Sequence, residues 1–237
     1  MWIKRIIKKI IYRERAYSDT YVEYLRRIGV EIGDGTTFID PKTTTIDETR
    51  PWMISIGEAC CITGGVTVLS HDYGWSVIKA VYGDVIGSVG KVSIGNNVYI
   101  GMHSTILSGV HIGNNVIIGA NTLVSKDIPD NVVVVGNPAR IVRSLEDYYK
   151  KRKGREFEEA IEMVSEYINK YGTDPSIEVM REHFWLFEDD YEKLHPEFQK
   201  VMKLVDGSYE LTCKKFKKHK KMFKDFSDFL EFVHKQK

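Results

Sequence analysis

Aliphatic residues recur every six positions through the middle of the chain, at Ile94, Ile100, Ile106, Ile112, Ile118 and Val124. That period matches neither the two-residue alternation of a strand nor the 3.6 of a helix. Gly95, Gly101, Gly113 and Gly119 follow four of these positions, and Val98, Ser104, Val110, Val116, Thr122 and Ile128 stand four residues after each. The same frame occurs upstream at Ile56, Ile62 and Val68, with Gly57 after the first and Cys60 and Val66 four further on. A fixed hexad predicts a parallel β-helix: each hexad makes one short strand and one corner, three close a triangular coil, and the leading aliphatics stack inside the prism. Corners such as Gly95-Asn96-Asn97 and Gly113-Asn114-Asn115 suit positive φ. Four to five coils are expected between Val30 and Val135, stacked at about 4.8 Å each into a prism roughly 20 Å tall.

The frame breaks between Asp72 and Lys91, where about twenty residues rich in Gly and aromatics (Tyr73, Trp75, Tyr82) are ejected as a loop. Both ends of the chain carry a helical period instead. Trp2, Ile3, Ile6, Ile7, Ile10 and Ile11 form an apolar stripe among Lys4, Arg5, Lys8 and Lys9, and Ser18 or Asp19 is placed to cap a second helix that Gly29 ends. Phe157, Ile161, Val164 and Ile168 predict a helix ended by Gly172, and a pattern through Phe216, Phe223, Phe226, Phe229, Leu230 and Val233 predicts another, so residues 144–237 read as three or four helices. The expected organisation is a helical segment 1–27, a β-helix domain 28–143 with its ejected loop 72–91, and a helical extension 144–237.

With 237 residues, 43% hydrophobic and 28% charged, the composition is that of a globular chain with a sizeable core, not a disordered or disulfide-stapled one. Cys60, Cys61 and Cys213 are too few and too unevenly placed for a disulfide framework and read as thiols. No run approaches the ~18 apolar residues of a membrane span, and the N-terminus lacks a signal-peptide cleavage pattern, so a cytoplasmic location is expected, with the inner membrane face as its variant. The net charge of +1 conceals segregation: residues 1–16 hold six Lys or Arg against one Glu, and residues 214–224 hold seven Lys and no acid. With those thirteen bases and one acid set aside, 21 basic and 32 acidic residues remain, a balance of −11. Such ends suit an anionic glycan or lipid surface, though solvated helix faces are the favoured explanation. Packing of the N-terminal stripe on protein is favoured over peripheral membrane contact. Nucleic acid is not an expected partner, because no binding motif accompanies the lysines.

The hexads from Ile94, the Lys-Asp-Ile-Pro at 126–129 and the Gly-Asn-Pro-Ala-Arg at 136–140 resemble the hexapeptide-repeat acyltransferases, in particular the galactoside and maltose acetyltransferases and the capsular-polysaccharide O-acetyltransferases. The resemblance covers roughly residues 28–143. It implies a left-handed coil, a homotrimer with sites between neighbouring prisms, acetyl-CoA as co-substrate in the intersubunit groove, and O-acetylation of a saccharide, a cell-surface polysaccharide or its precursor. An N-acetyltransferase of an amino sugar or antibiotic would share these motifs, and a non-catalytic trimeric scaffold is the alternative outside enzymes.

A sugar hydroxyl is a poor nucleophile until a base takes its proton, and histidine is the base suited to neutral pH. His71, in Ser70-His71-Asp72 where the chain leaves the prism, is the candidate, and the resemblance places a catalytic histidine there. Asp72 replaces the family's common Pro; on an extended segment it points away from His71, which favours acceptor binding over orienting the ring. The resemblance implies further contacts. The Met102 backbone N–H, after Ile100-Gly101, is the candidate oxyanion donor. Tyr99 lies beside the pantetheine, Ala120, Ser125 and Lys126 further along the groove, and Arg140 and Arg143 at the CoA phosphates. Asp47 lies near a sugar-binding carboxylate, and Tyr73 and Trp75 offer rings to a pyranose face. His103 reads as a cleft or interface residue. No metal is expected, since His103 and His111 are eight apart, unlike the closer histidine ligands of metal-dependent solenoids.

Overall fold

The computed structural model describes residues 7, 8, 10–204 and 208–236, which fall into two compact units, 1–148 and 149–237. The first unit is a triangular parallel β-helix. Its first coil is β1 (Glu31–Ile32), β2 (Thr37–Phe38) and β3 (Thr45–Ile46); its second is β4 (Ile54–Ile56), β5 (Cys61–Ile62) and β6 (Thr67–Val68). A hairpin of β7 (His71–Asp72) and β8 (Ser88–Val89) then leaves the prism, with helix α2 (Trp75–Tyr82) at its tip; the helix that precedes β1 is α1 (Ser18–Ile28). The third coil is β9 (Val92–Ile94), β10 (Tyr99–Ile100) and β11 (Thr105–Ile106), and the fourth is β12 (His111–Ile112), β13 (Ile117–Ile118) and β14 (Leu123–Val124). A partial fifth follows, with Ile128 bridged to Ile112 and β15 (Val132–Val135) on β13, before β16 (Arg140–Ser144) returns antiparallel along β15.

The walls are the sheets β1-β4-β9-β12, β2-β5-β10-β13-β15-β16 and β3-β6-β11-β14, all parallel save the last strand of the second. Register follows the hexad: Ile62, Ile100 and Ile118 stack on one wall, and Val68, Ile106 and Val124 on the next. These six side chains are fully buried. The residue three places after the leading aliphatic turns the corner at positive φ: Ala59, Asn97, Asn115 and Asn131 at one corner, His103 and Asn121 at another. Asn97 donates to Asn115 at 2.9 Å and Asn115 to Asn131 at 3.0 Å, so one corner carries an amide ladder.

Tyr21, Val22 and Leu25 of α1 share the prism core with Val30, Ile32 and Phe38, so this helix covers the first coil. Gly29 ends it at φ +112, as expected, but neither Ser18 nor Asp19 caps it. Tyr17 holds the cap position, and the Ser18 hydroxyl accepts instead from the Phe38 N–H at 2.9 Å, because tertiary packing brings β2 within its reach. Of the N-terminal stripe, Trp2, Ile3 and Ile6 lie outside the described residues, while Ile7, Ile10 and Ile11 are exposed.

Helix α3 (Leu145–Tyr171) follows β16 in the chain, belongs to the second unit from Tyr149 onward and ends at Gly172, φ +69. It is followed by α4 (Pro196–Met202), α5 (Tyr209–Phe216) and α6 (Phe226–Lys235). Ala160, Val164, Phe184, Phe198, Phe216 and Phe229 centre the second unit's own core. The single helix expected through Phe216 and Val233 is two: Phe216 closes α5, Phe223 lies in the connection, and the Asp225 side chain accepts from Asp228 N to start α6. The lysine run begins in the last turn of α5 with Lys214 and Lys215 and continues through this connection; Lys221 pairs with Asp189 at 3.0 Å. No described helix is long and apolar enough to cross a membrane.

Coils this close leave no room at some corners. A Cβ on Gly95 would lie 2.7 Å from the carbonyl of Gly113 one coil on. Gly95→Ala is therefore expected to cost about 1–3 kcal/mol, and Ile100→Ala, which empties the stack, about 2–5 kcal/mol; urea unfolding of each variant measures both.

Candidate functional site

Counting from one interior aliphatic to the next locates the departures from the hexad. Regular passage from the third wall back to the first takes six residues, Ile106 to Ile112, but the first coil takes ten, Ile46 to Ile56, and the second takes 26, Val68 to Ile94. Both insertions leave from the same corner, one coil apart. The shorter contains Arg50-Pro51-Trp52, where Pro51–Met53 form a 3-10 turn; the longer contains the β7/β8 hairpin and α2. What reads in the sequence as an irregular loop is thus a hairpin with a helix.

Between these insertions lies a cleft of about 420 Å³ walled by Arg50, Trp52, His71, Asp72, Tyr73 and Trp75. His71 stands at its base, with a side chain only 13% exposed. Its Nδ1 lies 2.5 Å from Oδ2 of Asp47, which projects from the first coil just past β3. Because β3 and β6 are in register, Asp47 sits beneath Leu69, and its carboxylate reaches Ser70 and His71 one coil on. The Asp47 side chain is 4% exposed and saturated: Oδ1 accepts from the Thr49 N–H and hydroxyl, and Oδ2 from the Ser70 hydroxyl at 2.5 Å and N–H at 3.2 Å as well as from His71. Burial pushes this carboxyl up, but the hydrogen bonds from Ser70, Thr49 and His71 outweigh burial and hold it well below the usual carboxylate range. Asp47 is therefore ionised and can only accept. That places the His71 proton on Nδ1 and leaves the Nε2 lone pair as the ring's free base.

The Asp47 oxygens, expected near a sugar hydroxyl, are taken up by Thr49, Ser70 and His71, so the carboxylate faces the histidine ring. The shift that obscured this is the four-residue insertion that follows it. The Asp72 Oδ1 accepts from the Gly74 N–H at 2.8 Å. Tyr73 packs edge-on against His71 at 5.4 Å between centroids and Trp75 lies 6.2 Å beyond, so both rings border the cleft. Thr49, Ser70, Arg50 and Trp52 were missed as site residues; the hexad count, which sets Asp47 one coil below Leu69, was the available signal.

The remaining candidates are not gathered around His71. Met102 and Ala120 stack at the corner between the second and third walls, where the Asn121 N–H donates to Met102 O at 2.8 Å. Gly101 has no space for a Cβ, which would lie 2.5 Å from Ala120 N. Met102 is exposed, and Tyr99 stands on the outer face of the adjacent wall between Cys61 and Ile117. Ser125 and Lys126 follow β14 and so share the His71 corner two coils on. Arg140 and Arg143 lie on β16, the first exposed and the second half-buried. His103 sits over Gly65, and His111 accepts from or donates to Ser93 Oγ at 2.7 Å. Among the described residues no cluster of three His, Cys, Asp or Glu could hold a metal ion.

One wall of the prism separates the Met102 corner from the His71 corner. At about 3.3 Å per extended residue, that distance far exceeds the ~3 Å reach within which a base and an oxyanion donor serve one reacting carbonyl. Within a single chain the two corners therefore do not meet.

The family model for the bacterial transferase hexapeptide (six repeats) matches residues 91–126. Protein CapG of Staphylococcus aureus is 42% identical over 127 residues, 54% of this chain and 73% of CapG. Galactoside O-acetyltransferase of Escherichia coli K12 is 52% identical over 64 residues, which cover 25% of this chain and 32% of that protein. A solved galactoside acetyltransferase in complex with coenzyme A aligns with 62% of this chain and 83% of its own, at 26% identity and TM-score 0.44. The chain belongs to the hexapeptide-repeat acyltransferases, the family of left-handed parallel β-helices.

Asp47 has its folded pKa depressed, so its contribution to stability is present above its unfolded pKa and is lost as pH falls through the folded one. Wild type is expected to lose stability progressively below about pH 4, and Asp47→Asn to show a shallower acid dependence, read by urea unfolding across pH 2–7.

Proposed function

We propose that the protein is an acetyl-CoA-dependent O-acetyltransferase whose acceptor is a saccharide hydroxyl, on a cell-surface polysaccharide or its precursor. The observation that carries this reading is the Asp47–His71 pair at the base of an aromatic-walled cleft. Asp47 holds the ring so that Nε2 faces outward as a base. His71 takes the acceptor's hydroxyl proton as the oxygen attacks the thioester carbonyl. The Met102 N–H, which makes no recorded hydrogen bond within the described residues, donates to the developing oxyanion. As the carbon–sulfur bond breaks, His71 returns its proton to the departing thiolate, so no acyl-enzyme forms and the base is regenerated.

The separation of the two corners makes this a site of two chains, with His71, Ser125 and Lys126 from one prism and Met102, Ala120 and Tyr99 from its neighbour. A closed ring of three such contacts is a homotrimer, which uses every corner pair once. Arg140 and Arg143, on the outer strand, meet the CoA phosphates with their guanidinium forks. The name of the related E. coli galactoside O-acetyltransferase supports an acetyl group and a sugar acceptor.

Thiol release from acetyl-CoA with a panel of glycosides tests the reading. His71→Ala and Asp47→Asn are each expected to lower kcat by about 10²–10⁴, with little change in the KM for acetyl-CoA. Light scattering is expected to give three times the 27.3 kDa chain mass. A wild type that releases no thiol with any acceptor and shows no thermal shift with excess CoA would overturn it.

A further inference from the structure

The four residues added to the first coil build a wall of the cleft and place a cation in it. Arg50 is half-buried there, in the same cleft as His71. Its one recorded side-chain hydrogen bond is a long contact to Thr49 Oγ1 at 3.5 Å, and among the described residues it forms no ion pair. The carboxylates adjoining it in the chain or the cleft have other partners: Asp47 is saturated by Thr49, Ser70 and His71, Glu48 accepts from Arg15 and Tyr24, and one oxygen of Asp72 is held by the Gly74 N–H. A guanidinium offers five donors in a planar fork that matches a carboxylate. Here the fork faces a cleft that also presents the exposed rings of Trp52 and Tyr73, surfaces suited to the CH faces of a pyranose.

We infer that Arg50 is a specificity-determining residue that pairs with a carboxylate on the acceptor, and that the acceptor is an acidic saccharide of the uronic-acid kind. This rests on the acetyltransferase reading above. His71 takes the proton from a hydroxyl of the same sugar whose carboxylate Arg50 anchors, and Asp72 accepts from another hydroxyl. A bidentate pair in a partly desolvated cleft discriminates by about tenfold to a hundredfold against the uncharged analogue.

Matched glycosides test this: methyl glucoside against methyl glucuronide, and methyl galactoside against methyl galacturonide. In wild type the kcat/KM ratio of uronide to neutral sugar is expected to be at least about tenfold. In Arg50→Gln the ratio is expected to fall to near one, with Arg50→Lys between them. A wild-type ratio near one, or a ratio unchanged in Arg50→Gln, overturns the assignment while leaving the acetyltransferase reading intact. Ligand-observed NMR with the uronides and no acetyl-CoA gives a readout independent of turnover. Uronide binding that is lost in Arg50→Gln, without thiol release from any acceptor, supports the role of Arg50 and sinks the acetyltransferase reading. No uronide binding to wild type overturns the proposal on its own.

Discussion

Coil-on-coil hydrogen bonding is the constraint from which everything else in the prism follows. Each strand is only two to five residues long and no strand is stable by itself, so the ladder between coils must run without a slip. The Gly57 N–H meets Ile94 O at 2.8 Å, Gly95 meets Ile112 and Gly113 meets Ile128 at the same distance, and each bond sets the next interior aliphatic above the last. A residue added within a strand would turn its interior side chains outward. Extra chain can leave only at corners, and this protein sends its two largest insertions out of one corner, in successive coils. The cleft is the space between them.

That corner also solves an electrostatic problem. A carboxylate as buried as Asp47 is costly unless its lone pairs are satisfied. Thr49 and Ser70 supply the donors from residues that flank the insertions, and His71 completes the shell. The result is a histidine held in one tautomer by a group that stays ionised at neutral pH. The arrangement spans two coils, so it exists only when the ladder between β3 and β6 is in register.

The same geometry is why the proposed chemistry calls for more than one chain. A triangular prism has its corners a full wall apart, and the repeat that builds the walls distributes comparable turns to all three. Met102 lies after the second wall and His71 after the third. In the proposed trimer, surfaces from two corners converge where prisms stand side by side; in the single chain α2 leaves Val77, Val81 and Tyr82 exposed.

The six-residue period was enough by itself to define the β-helix, its interior residues and the point of ejection at His71, because a stacked coil repeats its constraints at each turn and so writes them into the sequence many times. Helix ends were less legible: Ser18 looks like a cap, yet its hydroxyl serves β2, a partner twenty residues away. The spacing likewise did not show that the phenylalanines from 216 to 232 are divided between two helices and the connection, since all of them pack in or against one core. Tertiary structure alone decided the role of Asp47. Its meeting with Ser70 and His71 depends on how many residues each corner holds, and pairing across coils converts a separation of 24 residues into a hydrogen bond of 2.5 Å. The chain's local pattern specifies where the coils run; which side chains face one another across them is settled only when the coils stack.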